Sequence, residues 1–190
     1  MTPCEGDRGG TEKIRSAGVG TPALQRRRHL RRLPGIFDSS RSPLYYLTQC
    51  VHNRIPILAQ PAVSEILVGA WRDALPVHGW QVGRYVVMPN HVHFFATPAG
   101  EGAKTLSQFM ESWKRWTRKG IREAGMTSFS WQAEFFDHPM RHVESYAEKW
   151  GYVSTNPVRA GLVGRPEEWP YQGEIHALVW DALELPATRR

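Results

Sequence analysis

A chain of 190 residues, 41% of them hydrophobic, is long enough for one ordinary domain and a tail but too short for two comfortable domains. Its 24 Lys and Arg residues against 18 Asp and Glu residues leave a formal net charge of +6, which favours an anionic partner such as nucleic acid. Two cysteines exclude a disulfide framework, and no apolar run suits a membrane span or a signal peptide, so we expect a cytoplasmic protein with no membrane partner.

The chain begins with a basic segment rich in Gly, Arg and Ser. Residues 1–35 hold eight basic and three acidic residues and few large apolar ones, so they cannot bury enough surface to offset the entropy cost of ordering. We therefore predict a basic, disordered tail over 1–34, a folded domain over 35–175 and a C-terminal extension over 176–190. The arginine clusters of the tail could contact phosphates weakly, but a solvated extension is the favoured interpretation.

Hydrophobic periodicity predicts four strands and three helices after this tail. Pro89 and Asn90 separate two of the strands and predict a tight hairpin there. The clearest helix has six apolar residues spaced for one buried face: Leu106, Phe109, Met110, Trp113, Trp116 and Ile121. In chain order the predicted elements are a strand over 44–51, a helix over 61–75, strands over 80–88 and 91–97, a helix over 106–122, a strand over 135–140 and a helix over 142–155.

These elements follow the order β-α-β-β-α-β with one helix added at the C-terminal end. The order predicts an α+β fold of the ferredoxin-like type, with an antiparallel sheet and helices on one face. The added helix carries Tyr152. Its placement against the sheet therefore decides whether that residue can act together with residues of the strands.

His91 and His93 are the most informative residues of the chain. They are separated by one apolar residue on a predicted strand, so both imidazoles point to the same face. Alone, the pair favours hydrogen-bonded structural histidines over metal ligands. With oxygen donors, two neutral imidazoles would suit Mn²⁺ or Zn²⁺, and also Mg²⁺ where a phosphate oxygen and water complete the coordination.

Tyr152 and Asn156 form a second pair, four residues apart. On a helix this spacing brings both side chains to the same face. Pro157 disfavours helical geometry at the residue before it, so we expect Asn156 at a helix end or kink. Taken separately, a packed aromatic and a C-terminal cap are the better interpretations of the two residues.

Four motifs in one order resemble the REP-associated tyrosine transposases, relatives of the one-tyrosine transposases of single-stranded-DNA insertion sequences. The resemblance covers roughly residues 43–171. Its motifs are Val-Met-Pro-Asn-His-Val-His-Phe-Phe over 87–95, Trp-Gln-Ala-Glu-Phe-Phe-Asp-His over 131–138 with Arg141, Tyr-Val-Ser-Thr-Asn-Pro-Val-Arg-Ala-Gly-Leu-Val over 152–163, and Trp-Pro-Tyr over 169–171.

The resemblance implies a DNA endonuclease and transposase that acts on single-stranded or hairpin DNA, including repetitive extragenic palindromes. It implies that His91 and His93 are the metal-binding pair of an HUH motif, that Tyr152 is the nucleophile, and that Asn156 completes the metal site. The implied cofactor is a divalent metal, Mg²⁺ or Mn²⁺, and the implied intermediate is a 5′-phosphotyrosine. Gly151 departs from the expected pattern, because a bulkier residue there would support the helix better.

The candidate DNA-binding residues are basic. Those on the helix over 106–122 lie away from much of its apolar stripe, and a solvated helix face is an equally good interpretation of them. Two further arginines are candidates because they stand beside the family motifs. The candidates are Lys114, Arg115, Arg118, Lys119 and Arg122 on the helix, with Arg141 and Arg159 beside the motifs.

Two rival interpretations remain open. The protein could be a host-retained nucleic-acid-binding protein that keeps the fold without cleaving DNA. It could also be a zinc hydrolase, which would need a third protein ligand among His138, His142 or a carboxylate. Either a monomer or a homodimer is compatible with the sequence.

Overall fold

The computed structural model describes residues 42–140 and 143–178, and within the last segment it describes side chains from Tyr146 onward. The sequence-predicted tail over 1–34, most of the C-terminal extension, and Arg141 and His142 lie outside the described residues. The described strands are β1 (Leu44–Cys50), β2 (Trp80–Met88), β3 (His91–Pro98), β4 (Phe136–Met140) and β5 (Gln172–Glu174). The described α-helices are α1 (Pro61–Arg72), α2 (Ala74–His78), α3 (Leu106–Glu123), α4 (Val143–Ser154) and α5 (Asn156–Arg159).

The strands form one antiparallel sheet in the order β4-β1-β3-β2-β5. The prediction of an α+β fold with an antiparallel sheet is confirmed. The four predicted strands and the helix over 106–122 agree with the structure to within one residue at each end, which is the ordinary uncertainty of such boundaries.

Several elements differ from the sequence prediction, among them α2 and β5. The predicted helix over 61–75 ends at Arg72, and a second short helix, α2, follows Asp73. Pro76 explains the break, because it has no N–H to donate to the carbonyl of Arg72 four residues earlier. Strand β5 was not predicted, since Gln-Gly-Glu contains no strand-favouring residue.

The sheet has a hydrophobic core on each face. Helices α1, α2 and α3 cover one face, where Trp71, Phe94 and Trp113 pack together with ring centroids 5.2–5.8 Å apart. Helix α4 covers the other face, where Phe95 meets the ring of Tyr146 at 4.7 Å. The prediction that Trp116 belongs to the core is wrong: its side chain is 45% exposed, and its ring centroid lies 6.2 Å from that of His78.

None of the described helices is both long and apolar enough to cross a bilayer. Helix α3, the longest at 18 residues, carries a polar and basic outer face. With apolar side chains filling a core on each face of the sheet, polar side chains can form a site only where they stand at the edges of these cores.

Candidate active site

His91 and His93 lie at the start of β3, directly after the turn formed by Pro89 and Asn90. Their ring centroids are 4.7 Å apart, with the planes nearly perpendicular. Phe95, two residues further along the strand, packs against α4. Because strand residues two apart share a face, both imidazoles lie on the α4 side of the sheet, as the sequence predicted.

Each imidazole is held through its Nδ1 atom. His91 Nδ1–H donates to Asn90 Oδ1 at 2.6 Å. His93 Nδ1 lies 2.7 Å from the hydroxyl oxygen of Tyr46 and 2.8 Å from that of Thr48, either of which can accept its proton. When Nδ1 carries the proton in both rings, the lone pair of each Nε2 is left for another partner. This is the tautomer that a metal-ligating histidine needs.

Burial keeps both histidines neutral. It lowers the pKa of His91 to about 4, with a smaller contribution from the positive charge of Arg54. It lowers the pKa of His93, whose side chain is 8% exposed, to about 3, with smaller contributions from His91, Lys149 and Arg54. Near neutral pH, no proton therefore competes for the lone pairs that a metal would need.

Tyr152 lies near the C-terminal end of α4 and is 53% exposed. The guanidinium carbon of Arg159 is 4.5 Å from the centroid of its ring. A hydrogen bond from Arg159 and the charge of that residue lower the pKa of the Tyr152 hydroxyl, and Lys149 adds a smaller effect in the same direction. The phenol is thus accessible to a large substrate and is flanked by two cations that favour its ionised form.

Lys149 and Tyr46 connect the tyrosine with the histidine pair. The Lys149 Nζ atom is 4.6 Å from the ring centroid of Tyr46 and 5.7 Å from that of Tyr152. The hydroxyl of Tyr46 in turn contacts His93. Tyr152 and the histidine pair therefore lie on the same side of the sheet and are joined by a continuous chain of contacts within one subunit.

Asn156 lies beyond the end of α4. The helix stops at Ser154, the Thr155 hydroxyl donates to the carbonyl of Tyr152 at 2.8 Å, and Asn156 begins α5. The predicted helix end at this residue is confirmed. Among the described contacts, none joins the Asn156 side chain to a histidine or to Tyr152, so its role as a metal ligand stays a prediction.

The histidines would need oxygen donors from elsewhere to hold a metal. Within residues 42–140 and 143–178, no group of three or more His, Cys, Asp or Glu side chains could hold a metal ion. His138 is on the same sheet face, paired in register with Tyr46, but belongs to no such group. A metal at the two imidazoles would take its remaining donors from an amide, water or substrate oxygens, a donor set that would suit Mg²⁺ or Mn²⁺.

Most of the predicted DNA-binding cations lie away from the histidines, because α3 packs on the opposite face of the sheet. Lys114 Nζ donates to the carbonyl of Ala133 at 2.6 Å, and Arg122 Nε donates to that of Phe129 at 2.9 Å, so both stabilise the loop that follows α3. The other cations of the helix are exposed: Arg115, Arg118 and Lys119, of which Arg115 contacts the Ser112 hydroxyl and Lys119 pairs with Glu123 at 3.8 Å. Of the arginines predicted from the motifs, Arg159 lies at Tyr152 and Arg141 falls outside the described residues.

Sequence reasoning missed three residues of this site. Tyr46 and Thr48 alternate on β1 and face the histidines, and their spacing of two was the available signal. Lys149 precedes Tyr152 by three residues, which puts both on neighbouring turns of one helix face. The pairing of β1 with β3 is a long-range contact, so the sequence alone could not connect these residues with the histidine pair.

The fold and the site define an α+β protein whose sheet presents two neutral imidazoles beside an exposed tyrosine on a helix. No family model matches the chain. A REP-associated tyrosine transposase of Escherichia coli K12 is 27% identical over 93 residues, 48% of this chain and 53% of that protein, so the match spans about half the length of that relative. A putative REP-associated tyrosine transposase of Haemophilus influenzae is 22% identical over 147 residues, 70% of this chain and 81% of that protein.

Among solved structures, a REP-associated tyrosine transposase bound to a REP hairpin has the same fold, with a TM-score of 0.58 at 21% identity over 72% of this chain and 88% of that one. The resemblance stated from the motifs is confirmed: the chain is similar in sequence to REP-associated tyrosine transposases and shares the fold of one of them.

Proposed function

We propose that this protein is a metal-dependent DNA endonuclease and transposase that nicks and rejoins single-stranded or hairpin DNA through a 5′-phosphotyrosine. The observation that carries the proposal is the chain of contacts from His93 through Tyr46 and Lys149 to the exposed Tyr152. A nucleophile and a pair of prospective metal ligands on one side of a rigid sheet are the components that phosphodiester cleavage requires.

His91 and His93 would hold the metal through their Nε2 atoms, with Asn156 as the proposed third protein ligand. When bound, Mg²⁺ or Mn²⁺ would supply a positive charge against a non-bridging phosphate oxygen. The hydrogen bonds to both Nδ1 atoms and the lowered pKa values support this assignment, because they keep the rings neutral and oriented.

Tyr152 would act as the nucleophile. Its hydroxyl oxygen forms a bond to phosphorus while the bond from phosphorus to the 3′ oxygen breaks, and the departing oxygen takes a proton from water. The phenolic proton passes to solvent, aided by Arg159, which lowers the pKa of the hydroxyl. The phosphotyrosine retains the bond energy, so attack by another 3′-hydroxyl can reseal DNA without a nucleotide cofactor.

Single-stranded DNA is the substrate class that the surroundings of Tyr152 favour. Phe136 is 46% exposed beside Tyr46 on the same side of the sheet, and an exposed aromatic ring offers a stacking surface to an unpaired base. A hairpin partner is supported by the similarity of fold to a REP-associated tyrosine transposase that was solved bound to a REP hairpin. The strand order β4-β1-β3-β2 within the sheet also supports assigning the core to the ferredoxin-like arrangement.

The decisive experiment compares the wild type with Tyr152→Phe. Both proteins are incubated with Mn²⁺ and a pool of labelled DNA hairpins that carry randomised single-stranded flanks, and covalent protein–DNA adducts are separated on denaturing gels. We expect adducts from the wild type and none from Tyr152→Phe, whose affinity for the same hairpins should stay within about twofold. Tyr85→Phe removes a hydroxyl from the other face of the sheet and serves as the control.

The rival functions give different results in the same assay. A binding protein without cleavage activity would retain hairpins but form no adduct in the wild type. A zinc hydrolase would cleave DNA equally well with Tyr152→Phe. His91→Ala should abolish metal-dependent adduct formation, and unaltered turnover in that variant would refute the metal assignment.

A further inference from the structure

Lys149 occupies an unusual place for a lysine. It lies on α4 between Tyr146 and Val153, three residues after the first and four before the second, and both of those side chains are completely buried. These spacings put Lys149 along the stripe that the helix turns toward the sheet. Lys149 itself is half-buried, whereas most lysine side chains are exposed.

The surroundings of Lys149 are aromatic. Its Nζ atom lies 4.6 Å from the ring centroid of Tyr46 and 5.7 Å from that of Tyr152. In the described part of the chain, no carboxylate forms an ion pair with it. Contacts with ring faces attract an ammonium group without neutralising its charge, and that of Lys149 lies in the interval between the two tyrosines.

That interval is where the proposed reaction would occur. Tyr46 contacts His93 through its hydroxyl, and Tyr152 would supply the attacking oxygen. A phosphate approached by Tyr152 from one side and by the histidine pair from the other would come within reach of the Lys149 ammonium group. A fixed cation at such a position stabilises the negative charge that grows on the phosphate oxygens during attack.

We propose that Lys149 binds the scissile phosphate of the DNA substrate and that the ring of Tyr46 holds its ammonium group in place. The inference rests on the proposed function of the same site and adds a residue that contacts the substrate. Arg159 differs in role, because its contacts are with the Tyr152 ring and hydroxyl.

Three variants separate charge from packing. Lys149→Met keeps an unbranched side chain of similar length but removes the charge, whereas Lys149→Arg keeps the charge. Arg72→Ala removes one positive charge from the end of α1, on the other face of the sheet, and is the matched control. We expect Lys149→Met to slow adduct formation about 100-fold, Lys149→Arg to stay within about tenfold of the wild type, and Arg72→Ala to match it.

A binding experiment tests the phosphate contact directly. After the cleaved position has been mapped with the wild type, Tyr152→Phe and Tyr152→Phe/Lys149→Met are titrated with hairpins that carry either an ordinary phosphate or a neutral methylphosphonate at that position. Loss of Lys149 should weaken binding of the ordinary hairpin about tenfold, the loss of roughly one charge-assisted contact. It should change binding of the methylphosphonate hairpin less than about twofold.

The outcomes distinguish the two proposals. Adduct formation by the wild type together with a normal rate in Lys149→Met, or an equal loss of affinity for both hairpins, would overturn the role of Lys149 and leave the proposed function intact. Absence of adducts from the wild type would overturn the proposed function, and the role of Lys149 with it.

Discussion

The two hydroxyl groups at His93 Nδ1 lead to a quantitative prediction for metal affinity. Tyr46 and Thr48 lie 2.7 and 2.8 Å from this nitrogen, so each can serve as acceptor when the other is removed. We therefore expect Tyr46→Phe and Thr48→Val to weaken Mn²⁺ binding only slightly when made singly. A net hydrogen bond of about 1 kcal/mol, largely replaced by the second hydroxyl, leaves a loss of affinity of less than about twofold.

The double variant should behave differently. With both hydroxyls gone, the Nδ1–H group of a ring that is 8% exposed is left without an acceptor, which costs about 1–3 kcal/mol. The protonated Nδ1 tautomer then loses its advantage, and the ring can turn or shift its proton to Nε2. Outer contacts of this kind typically contribute 10- to 100-fold to metal affinity, so we expect a loss of that size, clearly more than the product of the single losses.

Isothermal titration calorimetry of the metal-free proteins with Mn²⁺ measures this effect. Thermal melting without metal shows whether each variant is folded, and Tyr85→Phe controls for the loss of a tyrosine hydroxyl on the opposite face of the sheet. A folded double variant that binds Mn²⁺ as tightly as the wild type would refute the reasoning. Strictly additive single losses would show that the two hydroxyls do not substitute for each other.

Two further predictions concern stability. Burial lowers the pKa of His91 to about 4 and that of His93 to about 3, so between pH 6.5 and these values the unfolded chain binds more protons than the native protein. The free energy of unfolding of the metal-free protein should therefore be highest above pH 6.5. It should fall by several kcal/mol as the pH drops toward 4, because each unit of pKa shift corresponds to about 1.4 kcal/mol. Melting temperatures that do not change between pH 7 and pH 5 would contradict this prediction. Gly79 has φ 70°, and an added Cβ would stand 2.9 Å from the Cα of Ala103, so Gly79→Ala should destabilise the protein by more than about 1 kcal/mol. In Gly100→Ala the added Cβ meets nothing within 4 Å, so denaturant unfolding should show a change within about 0.5 kcal/mol.

The elements of the fold were predictable where periodicity was strong. Helix α3 has a capping box at Thr105 and a continuous apolar stripe, and its predicted bounds were correct to one residue. The sheet strands with alternating or fully apolar patterns were found in the same way. Strand β5 was not predicted, because a three-residue edge strand has no hydrophobic pattern of its own. The break before α2 was not predicted either, because a single proline within a helical pattern does not fix where the helix divides.

The site was predictable only in part. The spacing of His91 and His93 fixed their common face, and the motif containing Tyr152 fixed the candidate nucleophile. Lys149 could not be recognised, because a lysine in an amphipathic helix normally points to solvent. Its half-buried position beside Tyr46 depends on how α4 packs against the sheet, which is a tertiary property.

The residue between the two histidines explains why the pair can serve as a site at all. Val92 is completely buried in the core on the α1–α3 face, opposite Gln49 in the pairing of β1 with β3. A shift of register by one residue would send this side chain to the polar face and both imidazoles into the core, where their polar nitrogens would lack partners. Burial of one apolar side chain thus holds the two histidines on the face that α4 covers. The same pairing sets Thr48 opposite His93, so the register that forms the core also positions the hydroxyls that orient the ring.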